Sequence, residues 1–496
     1  MEKYDLIVIG GGPSGYAAAM RGVDFNKKVL LVEKDRIGGA GIYNGALTSK
    51  TFWELSRQAL AYHENLKTFN VTAPDVPFKR IKDSVDQAAK ERNNILEEQI
   101  TWLRNLNNSA FTSIKGTASL QTKNEVSILT DEEEFVVWGE NIVLATGSRP
   151  RYIKDIPIDE KIVVTSDGIN SIEDYPKSLL IVGAGVIGCE FATIFSNFGE
   201  TEVHIIARDQ RILPFEDPDI TSIIEENLEK KGVIIHRNTD LNSMKIVDGE
   251  VEYETISRID GKINKFRVEK ALISIGRVPN IEGLGLGRVG IKMSDRGHII
   301  DEDTQTSIKN IYAVGDLTAD IALVNVGELE GRYAVEKIYG KPKKNMMYDN
   351  ISTIMFLTPE TAGVGMNEQM AQKQGIDYKV VSLGFECIAR AIAMRNTQGF
   401  FKILVTDDDE MKILGMRALG EHASSAIQAV ALLIATGKGI EELAELIHPH
   451  PSIIEGIQEC VRMFLGNSII KPGVMHHKIS CKRYCEGNYS DWKVLA

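Results

Sequence analysis

DLIVIGGGPSG, residues 5–15, decides how the chain begins to fold. An apolar run, Leu6–Ile9, leads straight into glycines at 10, 12 and 15. The run reads as a strand, and the glycines allow a tight turn, the approach of backbone to a pyrophosphate, and close packing of a following helix on the strand. The next strand, VLLVEK (29–34), closes with Glu33, at the distance expected for an acid that grips a ribose hydroxyl. A glycine-rich turn alone is common. Strand, turn, helix, strand and acid in that order point to a bound dinucleotide.

The pattern recurs in LLIVGAGVIGCEFA (179–192), with Gly183, Gly185 and Gly188 after an apolar run. Two such units imply two dinucleotides, or a duplication in which one copy is now scaffold. The second strand of this copy, EVHIIARD, ends in Ala207 and Arg208 where an NAD site would place an acid. An arginine there pairs with a 2′-phosphate, which favours NADPH over NADH; the alternative is an arginine that simply faces solvent. Three further strands, IVLATGSRP (142–150), ALISIGRVPN (271–280) and NIYAVGDLTA (310–319), each run into a glycine-containing turn, the last delivering Asp316.

The whole-chain totals fit this reading. With 496 residues the chain exceeds one hydrophobic core and predicts roughly three domains. Its net charge of −12 disfavours nucleic acid or an anionic membrane as the main partner. The N-terminus enters a strand without a basic segment or apolar leader, and IQAVALLIATG (427–437) is too short to span a bilayer, so the protein is placed in the cytoplasm with no membrane insertion. Five scattered cysteines do not make a disulfide framework.

From GGGPSG through ATGSRP, GAGVIGCE, IGRVPN and AVGD to HPHPSIIE (448–455), the chain resembles the FAD-dependent pyridine nucleotide-disulfide oxidoreductases. The resemblance covers nearly all of the chain except its last thirty or so residues. It implies an α/β protein with two Rossmann-like dinucleotide-binding domains and an α+β dimerisation domain, acting as a homodimer. Residues 1–151 and 281–348 would form the FAD domain, 152–280 the NAD(P) domain, 349–465 the dimerisation domain and 466–496 a C-terminal tail. Gly10, Gly12, Gly15, Glu33, Gly116, Thr146, Gly147 and Asp316 would hold FAD, with Asp316 on the ribityl chain. Gly183, Gly185, Gly188, Arg208 and Gly276 would hold NADP, or NAD in its place. Lys50 matches the lysine beside flavin N5, and Glu190 its ion-pair partner. His450 and Glu455 match an acid–base dyad that reaches the partner subunit's flavin. A relic histidine with a packing role is the alternative.

One segment departs from the family pattern. Where relatives read GGTCxNxGCxPSK, residues 38–50 read GGAGIYNGALTSK. The cysteine positions are Gly41 and Ala46, and the usual proline is Thr48. Neither replacement carries a thiolate, so the relay from flavin to disulfide is expected to be absent. Small residues there predict a roomier, uncharged flavin face, open to a small-molecule acceptor. The expected activity passes hydride from NAD(P)H through flavin N5 to a non-disulfide acceptor such as a quinone. A transhydrogenase-like or dihydrolipoamide dehydrogenase-like enzyme, and a silent flavoprotein scaffold or sensor, are the alternatives. No catalytic metal is expected. In the tail, His476, His477, Cys481 and Cys485 admit a redox pair, a soft-metal site or inert thiols.

Overall fold

The apolar run that opens the chain does not alternate, because both its faces are covered. In the first strand, β1 (Lys3–Ile9), Leu6 and Val8 enter one core while Ile7 and Ile9 enter another. Parallel sheets covered on both sides produce such runs. β1 lies between β2 (Val29–Glu33) and a long strand, Glu134–Leu144, and is parallel to both, with Leu6 opposite Val29 and Asn141. β3 (Phe111–Lys115) extends the sheet beyond β2, and Ile311–Ala313 extends it on the other side.

The helix α1 (Pro13–Asp24) connects β1 to β2, with Pro13 at its first position, where the missing N–H costs nothing. A short helix, α2 (Gly39–Ile42), and a long one, α3 (Ala46–Phe69), follow β2, separated by Tyr43, Asn44 and Gly45. α3 stops at Asn70, whose left-handed φ of 53° ends the helical ladder.

This computed structural model describes all residues except 73, 107–109, 320, 343–344, 349 and 493–496. They divide into two compact units, residues 1–183, 198–202 and 240–346 in the first, and 184–197, 203–239 and 347–496 in the second. Besides the sheet around β1, the first unit holds three parallel strands, with Ala271 opposite both Leu180 and Val163. The second unit is built on a seven-stranded antiparallel sheet. Against it pack the helices Gln428–Thr436 and Glu455–Phe464, which bury Val430, Ile457, Cys460 and Val461. Among the described residues, no helix is long and apolar enough to cross a membrane.

Residues 479–491 of the expected tail are part of this sheet. Ile479–Cys485 pairs with Tyr378–Gly384, Cys481 opposite Val381, and then turns back as Asn488–Asp491. The turn is Glu486–Gly487, both at positive φ (48° and 85°). Two consecutive left-handed residues give the twist that suits a two-residue hairpin.

Candidate functional site

The glycine turn after β1 is shaped by contacts that exclude side chains. Gly10 has φ +108°, and a Cβ on Gly15 would strike the Gly10 carbonyl. A Cβ on Gly12, by contrast, would meet nothing within 4 Å. Gly12 caps α1 and, having no side chain, makes no cap hydrogen bond to the helix's first amides. Open space above an uncapped helix N-terminus suits a pyrophosphate, so these residues fit a dinucleotide. Glu33 stands beside the turn: its Oε2 accepts the Gly11 N–H at 2.6 Å and its Oε1 the Asp35 N–H at 2.8 Å. Each carboxylate oxygen retains a second lone pair for a ribose hydroxyl. Gly116 is joined to the same strand end, donating its N–H to the Glu33 carbonyl at 2.9 Å.

Thr146 and Gly147 sit at the end of the strand Glu134–Leu144, held by Asn280. The Thr146 hydroxyl donates to the Asn280 carbonyl at 2.6 Å, and the Asn280 side-chain amide donates back to the Thr146 carbonyl at 2.9 Å. Asp316 is braced from the same side. Its Oδ2 accepts the Ser148 hydroxyl at 2.5 Å, and Ser148 Oγ accepts Arg277 Nε at 2.8 Å. Arg277 continues to Asp167 at 2.9 Å. The turn that carries Asp316 is fixed by buried Glu330, which accepts the Gly315 N–H at 2.6 Å. Ser148, Arg277, Asn280 and Glu330 were not among the expected site residues. Three of them lie in the quoted motifs ATGSRP and IGRVPN, which was the available signal; nothing local marks Glu330.

Residues 38–50 lie against the first glycine turn. The Gly38 N–H donates to the Gly11 carbonyl at 2.8 Å, and a Cβ on Gly39 would come 3.2 Å from Gly12 Cα. At Gly41 the expected extra room is already taken: a Cβ there would sit 2.5 Å from Pro13 Cγ. The loop has closed onto α1 at this position because hydrogen is the only side chain it must accommodate. Gly41→Cys should therefore destabilise the protein by about 1–3 kcal/mol, as overpacking does, lowering the urea midpoint. An unchanged midpoint would show that the loop is not seated on Pro13. Lys50, in the first turns of α3, donates to Ser49 Oγ at 3.2 Å.

Of the expected nicotinamide-nucleotide residues, Gly183 and Gly276 lie in the first unit, both at positive φ (+110° and +101°). A Cβ on Gly183 would sit 2.5 Å from the Ser274 carbonyl oxygen. Gly185, Gly188, Glu190 and Arg208 lie in the second unit. A Cβ on Gly185 would meet nothing within 4 Å. Glu190 is buried and accepts the Phe356 N–H at 3.0 Å. Arg208 is exposed, just past the strand Glu202–Ile206.

In the second unit the expected dyad is assembled. Glu455 Oε1 lies 2.7 Å from His450 Nδ1, and its Oε2 accepts the Ser452 N–H at 2.8 Å. Burial pushes the Glu455 carboxyl up, but the Ser452 amide and the His450 ring outweigh it and hold the group below the ordinary range. With the carboxylate on Nδ1, the imidazole is oriented with Nε2 free to handle a proton, and its side chain is 71% exposed.

The thiols are elsewhere. All five cysteines are free, and none lies in residues 38–50. Cys460 is buried and its thiol is pushed up by burial; burial takes Cys481 to about 11. Cys481 and Cys485 share one strand four residues apart, about 13 Å at strand rise, which is beyond disulfide reach. Among the described residues, no group of three or more His, Cys, Asp or Glu could hold a metal ion.

Residues 4–331 match the model of the pyridine nucleotide-disulphide oxidoreductases. The chain belongs to that family. Residues 351–461 match the family's dimerisation domain, so the protein is a homodimer. Membership makes it a flavin-dependent oxidoreductase of α/β fold, with FAD and a nicotinamide dinucleotide as its cofactors. A dihydrolipoyl dehydrogenase of Geobacillus stearothermophilus is 32% identical, with 94% of this chain and 97% of the relative covered. The mitochondrial dihydrolipoyl dehydrogenase of Schizosaccharomyces pombe is 30% identical over 94% and 91% of the two chains. Among solved structures, LpdA of Mycobacterium tuberculosis superposes with a TM-score of 0.84 at 24% identity, covering 94% of this chain and all of that one. The HOCl-induced flavoprotein disulfide reductase RclA of Escherichia coli, as its Cu(II) complex, gives 0.82 at 26% identity over 93% and 99%.

Proposed function

We propose that this family member is an NAD(P)H oxidoreductase whose electron acceptor is not a disulfide, with a quinone as the leading class. The observation that carries this reading is the segment 38–50, which keeps its place against the glycine turn yet has Gly41 and Ala46 where the family pattern has cysteines. The thiols of residues 479–485 do not replace them: burial raises the Cys481 thiol, and Cys481 cannot close a disulfide with Cys485 along their shared strand. Bound FAD supplies the two-electron chemistry between the nicotinamide and the acceptor.

The chain's own residues do the rest. Gly10, Gly12, Gly15, Glu33, Gly116, Thr146, Gly147 and Asp316 bind FAD, and the Ser148–Arg277 brace orients Asp316. Gly183, Gly185, Gly188 and Gly276 bind the nicotinamide nucleotide, and Arg208 favours NADP by pairing with its 2′-phosphate. Lys50 and Glu190 serve the flavin ring. His450, oriented by Glu455, gives the acceptor its proton at Nε2. The relatives' names favour lipoamide as acceptor instead, which makes the thiol question decisive.

An anaerobic titration tests the reading. One equivalent of NADPH should bleach the flavin fully, with no long-wavelength thiolate band, and at lower concentration than NADH. A charge-transfer band would return the relay to a cysteine and overturn the proposal.

A further inference from the structure

The link between α2 and α3 is tied down by one side chain from a distant part of the first unit and by two from nearby. The Asn170 side-chain amide donates to the Tyr43 carbonyl at 2.7 Å, across 127 residues of chain. The Thr48 hydroxyl donates to the same carbonyl at 3.3 Å, a bond that the family's proline could not make. The Arg36 guanidinium lies over the Tyr43 ring, 3.8 Å from its centroid. One end of the link is thus held by its backbone oxygen and by its ring.

Asn170 carries a cost for this. It sits in the turn Ile169–Ser171, beside buried Ile169 and Ile172. Its Oδ1 is buried and has no hydrogen-bond partner among the described residues. A buried carbonyl oxygen without a donor is destabilising, and a leucine has no such oxygen to bury. The only bond the amide makes among the described residues is to Tyr43.

We propose that Asn170 is a positioning residue: with Thr48 it holds the Tyr43–Gly45 link by hydrogen bonding, keeping Gly41 and Ala46 at a fixed separation where no covalent bridge can do so. One half of the amide is unused, and the other half sets the loop. This rests on the reading that residues 38–50 face the flavin, but the tethering itself can be measured apart from turnover.

The test compares the FAD-loaded dimer with its Asn170→Leu and Thr48→Val variants by hydrogen exchange and thermal melting. Asn170→Leu should speed exchange of the amides in residues 40–47 about tenfold, the loss expected for one hydrogen bond. Its melting temperature should stay level or rise. Thr48→Val should speed the same amides less, and quinone kcat should fall in Asn170→Leu while the KM for NADPH holds. Unchanged loop exchange in Asn170→Leu would overturn the proposal, as would faster exchange across the whole unit with a lower melting temperature, which marks a merely structural role. If exchange rises in the loop alone while turnover is unaffected, the tether stands and the flavin-facing reading fails.

Discussion

Lipoamide and oxidised glutathione will be reduced only at trace rates, while a quinone is turned over efficiently and depends on His450. His450→Ala should slow quinone reduction by roughly 10²-fold or more, the loss expected when a positioned general acid is removed. The structure supplies the reason: Glu455 occupies Nδ1 at 2.7 Å, which leaves Nε2 as the proton-handling atom on a side chain that is 71% exposed. Transfer between nicotinamide nucleotides needs no proton, and the same variant should leave it nearly untouched. Steady-state rates of wild type and variant with both classes of acceptor check this. Efficient lipoamide turnover by the wild type would sink the functional reading. Equal losses with both acceptors would instead make His450 a shaping residue.

Lys402→Ala should cost about 3–5 kcal/mol of stability, the range for removing one partner of a buried ion pair. Lys402 is only 1% exposed, and its ammonium meets Asp217 and Asp219 at 2.8 Å and Glu368 at 3.0 Å. Without it, buried Asp217 faces the largely buried Glu368 and the half-exposed Asp219 with no cation between them. Burial pulls the Lys402 ammonium down, but Asp219, Glu368 and Asp217 outweigh that and hold it above the ordinary lysine range. A raised pKa in the folded state means that its contribution is fully present below the unfolded lysine value and is lost only as pH rises through the folded one. Across neutral pH the wild type should therefore show no loss from this group. Urea unfolding of wild type and Lys402→Ala at pH 7 measures the difference, and a loss below about 1 kcal/mol would show that the cluster is solvated.

How far the site could be read from sequence differs from residue to residue. Gly10, Gly15 and Glu33 were legible because the demands on them are local: a left-handed φ, a helix pressed on a carbonyl, and an acid at the next strand end. The dyad was legible only through the resemblance of HPHPSIIE to the family motif; the structure brings His450 and Glu455, five residues apart, within 2.7 Å. Glu330 was not, because its partner, the Gly315 amide, is reached only when the helix Val324–Tyr339 folds back over the turn. The hairpin at Glu486–Gly487 carries a local signal, a glycine in a short turn between strand-like residues.

The sequence by itself determined the dinucleotide-binding frame, the order of its motifs and the absence of cysteine from residues 38–50, because periodicity, turn glycines and residue chemistry are properties of short stretches. Tertiary structure alone decided that Gly41 closes on Pro13, that Asn170 reaches Tyr43, that Ser148 and Arg277 brace Asp316, and that Lys402 gathers Asp217, Asp219 and Glu368. Except for Ser148 and Arg277, which lie in recognisable motifs, nothing near these residues announces their roles. Each contact joins segments that are distant in sequence, and which segments meet is set by how strands and helices cross in the folded chain, where burial makes a missing partner costly.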